Sequence, residues 1–206
     1  MLLKIHPENP SIRQIRIVTE CLNDGGIIIY PTDTIYGFGC NIFKPKSIEK
    51  IANIKGIKSG KANFSFICYD LSNISDYTRP FSTSIYKLMK KALPGPFTFI
   101  LTANNKVPKI IQSKKKTIGI RIPYNNISRE IVRELGNPIM SSSIKDDDTI
   151  IEYSTDPELI YEKYKDIVDI VIDGGYGNNE ASTVVDCTKN EIEIVRQGKG
   201  ILDYYL

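Results

Sequence analysis

Short runs of β-branched and aromatic residues alternate with amphipathic segments along this chain, and that alternation leaves it few ways to fold. Strand-like runs fall at residues 27–30, 64–68, 97–101, 118–122, 139–142, 167–172, 184–187 and 192–195. Helical spacing of apolar residues appears between them, over residues 12–22 and at Ile48, Ile51, Ala52 and Ile54 behind a predicted Ser47 cap. It returns at Ile85, Leu88 and Met89, at Ile127, Ile131 and Leu135, and over residues 159–164. Strands joined through helices pack as α/β units, while the closely spaced late runs can pair directly. The prediction is an α/β chain with a mixed sheet and helices on its faces. With 206 residues and no repeat, low-complexity tract or Ser/Gly linker, a single domain over residues 1–206 is expected.

Composition removes several chemistries. Apolar residues at 41% and charged residues at 25% are ordinary for a globular chain. Nothing approaches the roughly 18 apolar residues of a membrane span, and the first six residues hold no apolar core of signal-peptide length. A cytoplasmic protein is expected. Cys21, Cys40, Cys68 and Cys187 lie far apart without a CxxC pair, which points to reduced, mostly buried thiols and away from a zinc ribbon or redox dithiol. His6 is the single histidine, in an N-terminus expected to fray. A Ser-His-Asp triad, a Cys-His pair and a His-rich metal site are therefore excluded by inventory. Any reaction must rest on positioning and charge.

The formal charge of +3 permits an anionic ligand without announcing a nucleic-acid binder. Lys44, Lys46, Lys50, Lys55, Lys58 and Lys61 gather in one segment against Glu49, and Lys114, Lys115 and Lys116 form a second run. A solvated face and an anion-facing cluster both fit that pattern. Asp146, Asp147 and Asp148 cannot all face one ion and read as a solvated loop. There is no Walker A, GxGxxG, helix-turn-helix or RRM signature.

The polar candidates cluster where strands end. In residues 25–40, GGIIIYPTDTIYGFGC, Pro31 stops the apolar run, and Thr32, Asp33, Thr34 and two glycines follow. This reads as a strand-to-loop site for something polar, or as an ordinary Asx/ST turn that closes the strand. Lys55 ends an amphipathic helix whose dipole favours a cation, and its ammonium suits phosphate. Arg121 interrupts an apolar strand just before Pro123; it is either a carboxylate or phosphate fork or half of a structural ion pair. Arg196 repeats that arrangement ahead of Gln197 and Gly198. Ser141, Ser142 and Ser143 follow an apolar run, and Ser182 and Thr183 precede another. Such hydroxyls can hold an anion or simply begin a loop.

Six ordered blocks make the chain resemble the YrdC/YciO family from about residue 15 onward. They are PTDTIYGFG at residues 31–39, Lys55-Gly56, LPGPFT at residues 93–98, IGIRIP at residues 118–123, residues 138–143, and the pair STVVD at 182–186 with Arg196-Gln197-Gly198. The resemblance implies a twisted open sheet curled round a large concave basic cavity. It also implies synthesis of threonylcarbamoyl-adenylate from L-threonine, bicarbonate and ATP, with Mg²⁺ riding on ATP, pyrophosphate released, and the product used for t6A modification of tRNA.

By position, the resemblance puts Thr32, Thr34 and Ser182 on threonine, and Lys55, Asn63, Ser141, Ser143 and Arg196 on the nucleotide and its phosphates. Two motif positions depart from the family: Lys-x-Arg reads Lys55-Gly56-Ile57, and Ser-x-Asn reads Ser143-Ile144-Lys145. Lys58 is a candidate to replace the missing guanidinium, and Arg121 to fix a carboxylate or phosphate. The surrounding text, at residues 63–72 and 139–143, looks nearest to the YciO subgroup, which also lacks the full pair of motifs. The departures leave open a synthase, a relative that hydrolyses an adenylate, and a module that binds tRNA or double-stranded RNA.

Overall fold

The computed structural model describes residues 1–56, 64–108, 110–111, 115–144, 155–189 and 191–206. Ten strands form one sheet: β1 (Leu2–Lys4), β2 (Ile28–Tyr30), β3 (Gly37–Asn41), β4 (Ser65–Ile67), β5 (Phe97–Thr102), β6 (Thr117–Arg121), β7 (Ile139–Ser143), β8 (Ile170–Asp173), β9 (Thr183–Asp186) and β10 (Glu193–Arg196). Their order is β1-β8-β2-β3-β7-β4-β6-β5-β9-β10. Parallel pairs (β1/β8, β2/β8, β4/β6, β5/β9) mix with antiparallel ones, as the interleaved sequence pattern predicts.

Among the described residues five α-helices cover the sheet: α1 (Ile12–Asn23), α2 (Pro45–Ile54), α3 (Thr83–Ala92), α4 (Asn126–Leu135) and α5 (Pro157–Tyr164). Because side chains alternate across a strand, successive strand residues feed two separate cores. Ile28, Tyr30, Ile67, Ile139, Ile170 and Ile172 meet α1 and α4 on one face. Ile29, Phe66, Met140, Val171, Phe97 and Phe99 meet α2, α3 and α5 on the other. The Asn125 side chain accepts from Ser128 N at 3.0 Å to start α4, and Gly136 ends it in the left-handed region at φ 75°. No helix among the described residues is long and apolar enough to cross a membrane.

Three expectations need correction. The N-terminus is tied into the sheet: β1 pairs with β8, and His6 Nδ1 accepts from the amides of Glu8 and Asn9 at 3.3 Å each. Ser47 does not cap α2, which begins at Pro45; its hydroxyl donates to Gly25 O at 2.6 Å instead. Gly37 and Gly39 lie in strand β3, not in a ligand-cradling loop. Tyr30 and Ile139 explain Gly39, since a Cβ there would stand 2.8 Å from the Tyr30 ring and 2.9 Å from Ile139 Cγ2; a Cβ on Gly37 would crowd Ser141 Oγ at 3.1 Å. Cys40, Cys68 and Cys187 are buried and Cys21 is partly so, and all four are free thiols as expected.

Candidate functional site

On the face covered by α1 and α4, no residue of β5, β6 or β9 joins the apolar core. Hydroxyls and a glycine occupy that part of the sheet. Ser141 on β7 stands opposite Ser65 on β4, and Ser65 stands opposite Gly119 on β6. A Cβ on Gly119 would meet Ser65 Oγ at 2.7 Å and Thr98 Cγ2 at 2.9 Å, so both hydroxyl residues lean over this position. Thr98 Oγ1 and Ser182 Oγ share a hydrogen bond of 2.8 Å. The result is a band of small polar side chains running across five strands or strand ends.

The Thr32–Thr34 segment is held by its own turn and is joined to the end of β6 by Arg121. Thr34 N donates to Thr32 Oγ1 at 3.0 Å, and Thr32 Oγ1 donates to Ile35 O at 2.8 Å. So the ST turn exists, but it accounts for only part of the arrangement. Arg121 closes β6 and aims its Nη2 at Thr34 Oγ1, 2.8 Å away, and at Asp33 Oδ1, 3.2 Å away. The other carboxylate oxygen of Asp33 accepts from Tyr124 N at 3.1 Å. The two side chains keep 12% and 8% of their surface exposed, so this is an ion pair largely withdrawn from water. Arg121 Nε is buried and has no hydrogen-bond partner among the described residues. A guanidinium has five N–H donors, and one buried without an acceptor is the kind of group a ligand satisfies.

The far side of the site is built by the last strands. Arg196 on β10 donates from Nη2 to Ser182 O at 2.8 Å and reaches Ser182 Oγ at 3.5 Å. Lys199 closes a ring: its amide donates to Ala181 O at 2.9 Å, while its Nζ donates to Asp33 O at 2.8 Å. At the opposite rim, Lys55 caps α2 and its Nζ donates to Ser143 O at 2.5 Å. Tyr30 OH donates to Ser141 Oγ at 2.6 Å. Burial pushes the Tyr30 hydroxyl up to about 12, against the opposing pull of Ser141 and Arg121, so it remains a protonated donor at neutral pH.

Of the predicted residues, Thr32, Thr34, Arg121, Ser182 and Arg196 thus share one contiguous arrangement. Ser141 joins it through the hydroxyl band, while Lys55 and Ser143 meet each other at the rim. Lys58 and Asn63 lie outside the described residues, as do Ile57, Lys145 and Asp146, Asp147 and Asp148. Thr98 and Lys199 belong to the site and were not singled out by the sequence. Each sits inside or beside a recognisable block, in LPGPFT and just after Arg196-Gln197-Gly198. Among the described residues no three His, Cys, Asp or Glu side chains gather into a metal site.

Known proteins carry the same arrangement of elements. A family model for Sua5/YciO/YrdC proteins, described as telomere recombination, matches residues 20–198. An uncharacterized protein of Haemophilus influenzae is 41% identical over 95% of this chain and 94% of its own length. The crystal structure of Escherichia coli YciO is 36% identical, with a TM-score of 0.91 over 100% of this chain and 99% of that one. A threonylcarbamoyl-AMP synthase of Nitrosococcus oceani is 28% identical over 63% of this chain and 70% of its own.

Proposed function

The chain belongs to the Sua5/YciO/YrdC family, and on that footing we propose that it is a threonylcarbamoyl-adenylate synthase. The α-amine of L-threonine and bicarbonate form a carbamate with loss of water. A carbamate oxygen then attacks the α-phosphorus of ATP in line, and the bond to the leaving pyrophosphate breaks. ATP enters as its Mg²⁺ complex, the metal belonging to the substrate. In this reading the protein works in the cytoplasm and its product serves t6A modification of tRNA.

The observation that carries the reading is the Asp33–Arg121–Thr34 triangle with its unsatisfied Arg121 Nε. A buried cation beside hydroxyls suits a small zwitterion next to phosphate, and the site offers no histidine for proton transfer. Thr32, Thr34 and Ser182 bind threonine. Arg121, Arg196, Lys55, Ser141 and Ser143 hold carboxylate and phosphate oxygens, with Lys58 and Asn63 completing the nucleotide contacts. Positioning of two bound reactants is the main catalytic device such a residue set can supply.

A second reading is favoured by one fact. The uncharacterized and YciO relatives stand at 36–41% identity against 28% for the synthase, and Ile57 and Lys145 replace the arginine and asparagine of the synthase motifs. In that reading the same site binds an adenylate and delivers water to it. Pyrophosphate release measured with L-threonine, bicarbonate and Mg·ATP, each omitted in turn, separates the two. Release that needs every component supports the synthase. Breakdown of preformed threonylcarbamoyl-adenylate without net synthesis supports the hydrolase and refutes the first reading. Threonine-independent binding of tRNA or double-stranded RNA that collapses with salt, with neither reaction present, refutes both.

A further inference from the structure

Outside the hydroxyl band, the sheet has a second feature that calls for a ligand. β4 and β6 are parallel neighbours, with Ile67 opposite Arg121 at their carboxyl ends. From β4 the chain continues to α3, which packs on the Phe66 face; from β6 it continues to α4, which packs on the Ile67 face. Adjacent parallel strands whose connections leave to opposite faces define a topological switch point, and the crevice outside their carboxyl ends is where open α/β sheets bind ligands.

A cavity of about 270 Å³ lies there, lined by Tyr69, Tyr86, Lys90, Pro94, Ile122 and Arg129 among others. It shares no lining residue with the arrangement around Thr34 and Arg121. Its volume is near the lower end of small-molecule sites, which run from about 300 Å³ upward. Two cations and one carboxylate, Asp70, line it. The Asp70 Oδ1 already accepts from Ser72 N at 2.8 Å. Arg129 donates from Nε to Tyr69 O at 3.2 Å and stacks 4.9 Å from the Tyr69 ring centre, which fixes its plane; its terminal nitrogens have no ion pair among the described residues. Lys90 likewise has no ion pair among the described residues. The Tyr86 ring stands 44% exposed on one wall, with Leu93 and Pro94 nearby.

We propose that this switch-point crevice is a second binding site, taking a small organic anion with a planar aromatic body and a phosphate or carboxylate group. The fork of Arg129 and the ammonium of Lys90 hold the anionic end, and the ring of Tyr86 packs on the planar end. The inference does not depend on the proposed synthase reaction, because no group of that site takes part.

NMR titration of the isotope-labelled protein with phenyl phosphate, inorganic phosphate and phenol tests it. Phenyl phosphate is expected to saturate in the millimolar range and to move the amides of Tyr69, Tyr86 and Arg129, with phosphate and phenol each binding more weakly. Lys90→Met and Arg129→Met should each weaken it on the order of tenfold, as loss of one charged hydrogen bond does, while Thr34→Val leaves it unchanged. Shifts confined to residues around Thr34 and Arg121, phenol binding as well as phenyl phosphate, or unchanged affinity in both cation variants would each overturn the proposal. Benzoate in place of phenyl phosphate then tells a carboxylate site from a phosphate site.

Discussion

Asp33→Asn separates charge from shape at the centre of the site. The amide matches the carboxylate in size and can still accept from Tyr124 N, so what is lost is the negative charge 3.2 Å from Arg121 Nη2. Exposed ion pairs are worth under about 1 kcal/mol, but this one keeps only 12% and 8% of its side-chain surface in water. Without the carboxylate, Thr34 Oγ1 is the one side-chain acceptor left to a guanidinium whose Nε already has none. Breaking a pair so buried costs about 3–5 kcal/mol, mainly because the surviving charge stays desolvated. Total stability is about 5–15 kcal/mol for a typical domain, so the variant should fold but unfold at much lower urea.

The companion change decides whether that reasoning holds. Arg121→Met removes the buried cation, so Asp33→Asn made in its presence strands nothing. The double variant should be milder than the sum of the singles by about 1–3 kcal/mol. The chain has no tryptophan, so far-UV circular dichroism is the suitable probe of urea unfolding. A loss of less than about 1 kcal/mol in Asp33→Asn, or strict additivity in the double variant, would refute the picture of a desolvated pair.

Three other outcomes follow from the same structure. Burial pushes the Cys68 thiol and the Tyr30 hydroxyl each up to about 12, so the unfolded chain ionises first: stability is full below about pH 9 and falls as pH climbs towards 12, by about 1.4 kcal/mol per unit for the buried Cys68. Urea midpoints that stay constant up to about pH 10.5 would contradict this. Gly39→Ala brings a Cβ within 2.8 Å of the Tyr30 ring and 2.9 Å of Ile139 Cγ2, and should cost about 1–3 kcal/mol in urea unfolding. Ser182→Ala removes the partner of Thr98 Oγ1; if the synthase reading holds, KM for L-threonine rises roughly tenfold while KM for ATP holds, and an equal rise in both would move Ser182 off the amino-acid subsite.

How far the sequence could be read depended on whether a segment's pattern was local. The apolar stripe of α4, with Asn125 before it and Gly136 after it, states its own boundaries, and the strand runs at 97–101 and 118–122 do the same. β3 is not legible because Gly37 and Gly39 look like loop residues until the neighbouring strands are known, with Tyr30 crowding Gly39 and Ser141 crowding Gly37. β1 is three residues long and earns its place only by pairing with β8, more than 160 residues away. The same distinction runs through the site. Thr34, Arg121 and Ser182 announce themselves as polar residues at strand ends. Lys199 and Thr98 matter through contacts with Asp33 and Ser182, 166 and 84 positions away, which no local spacing encodes.

Arg121 shows why the structural and functional readings of a buried cation need not compete. An ion pair with Asp33 satisfies the sequence-level alternative of a purely structural role, and the pair is there at 3.2 Å. Yet Asp33 and Thr34 both draw on a single nitrogen, Nη2. Had the pair been built for stability alone, a two-pronged contact would have engaged a second nitrogen and left less of the fork unused. Instead Asp33 divides its two oxygens between Arg121 and the Tyr124 amide, and Nε stays buried and unsatisfied. Such an arrangement holds the guanidinium in place at a cost in desolvation that an anionic ligand can relieve. Ligand binding should therefore raise the urea midpoint of the native protein, and should do so less in Arg121→Met, where no unsatisfied donor remains to be met.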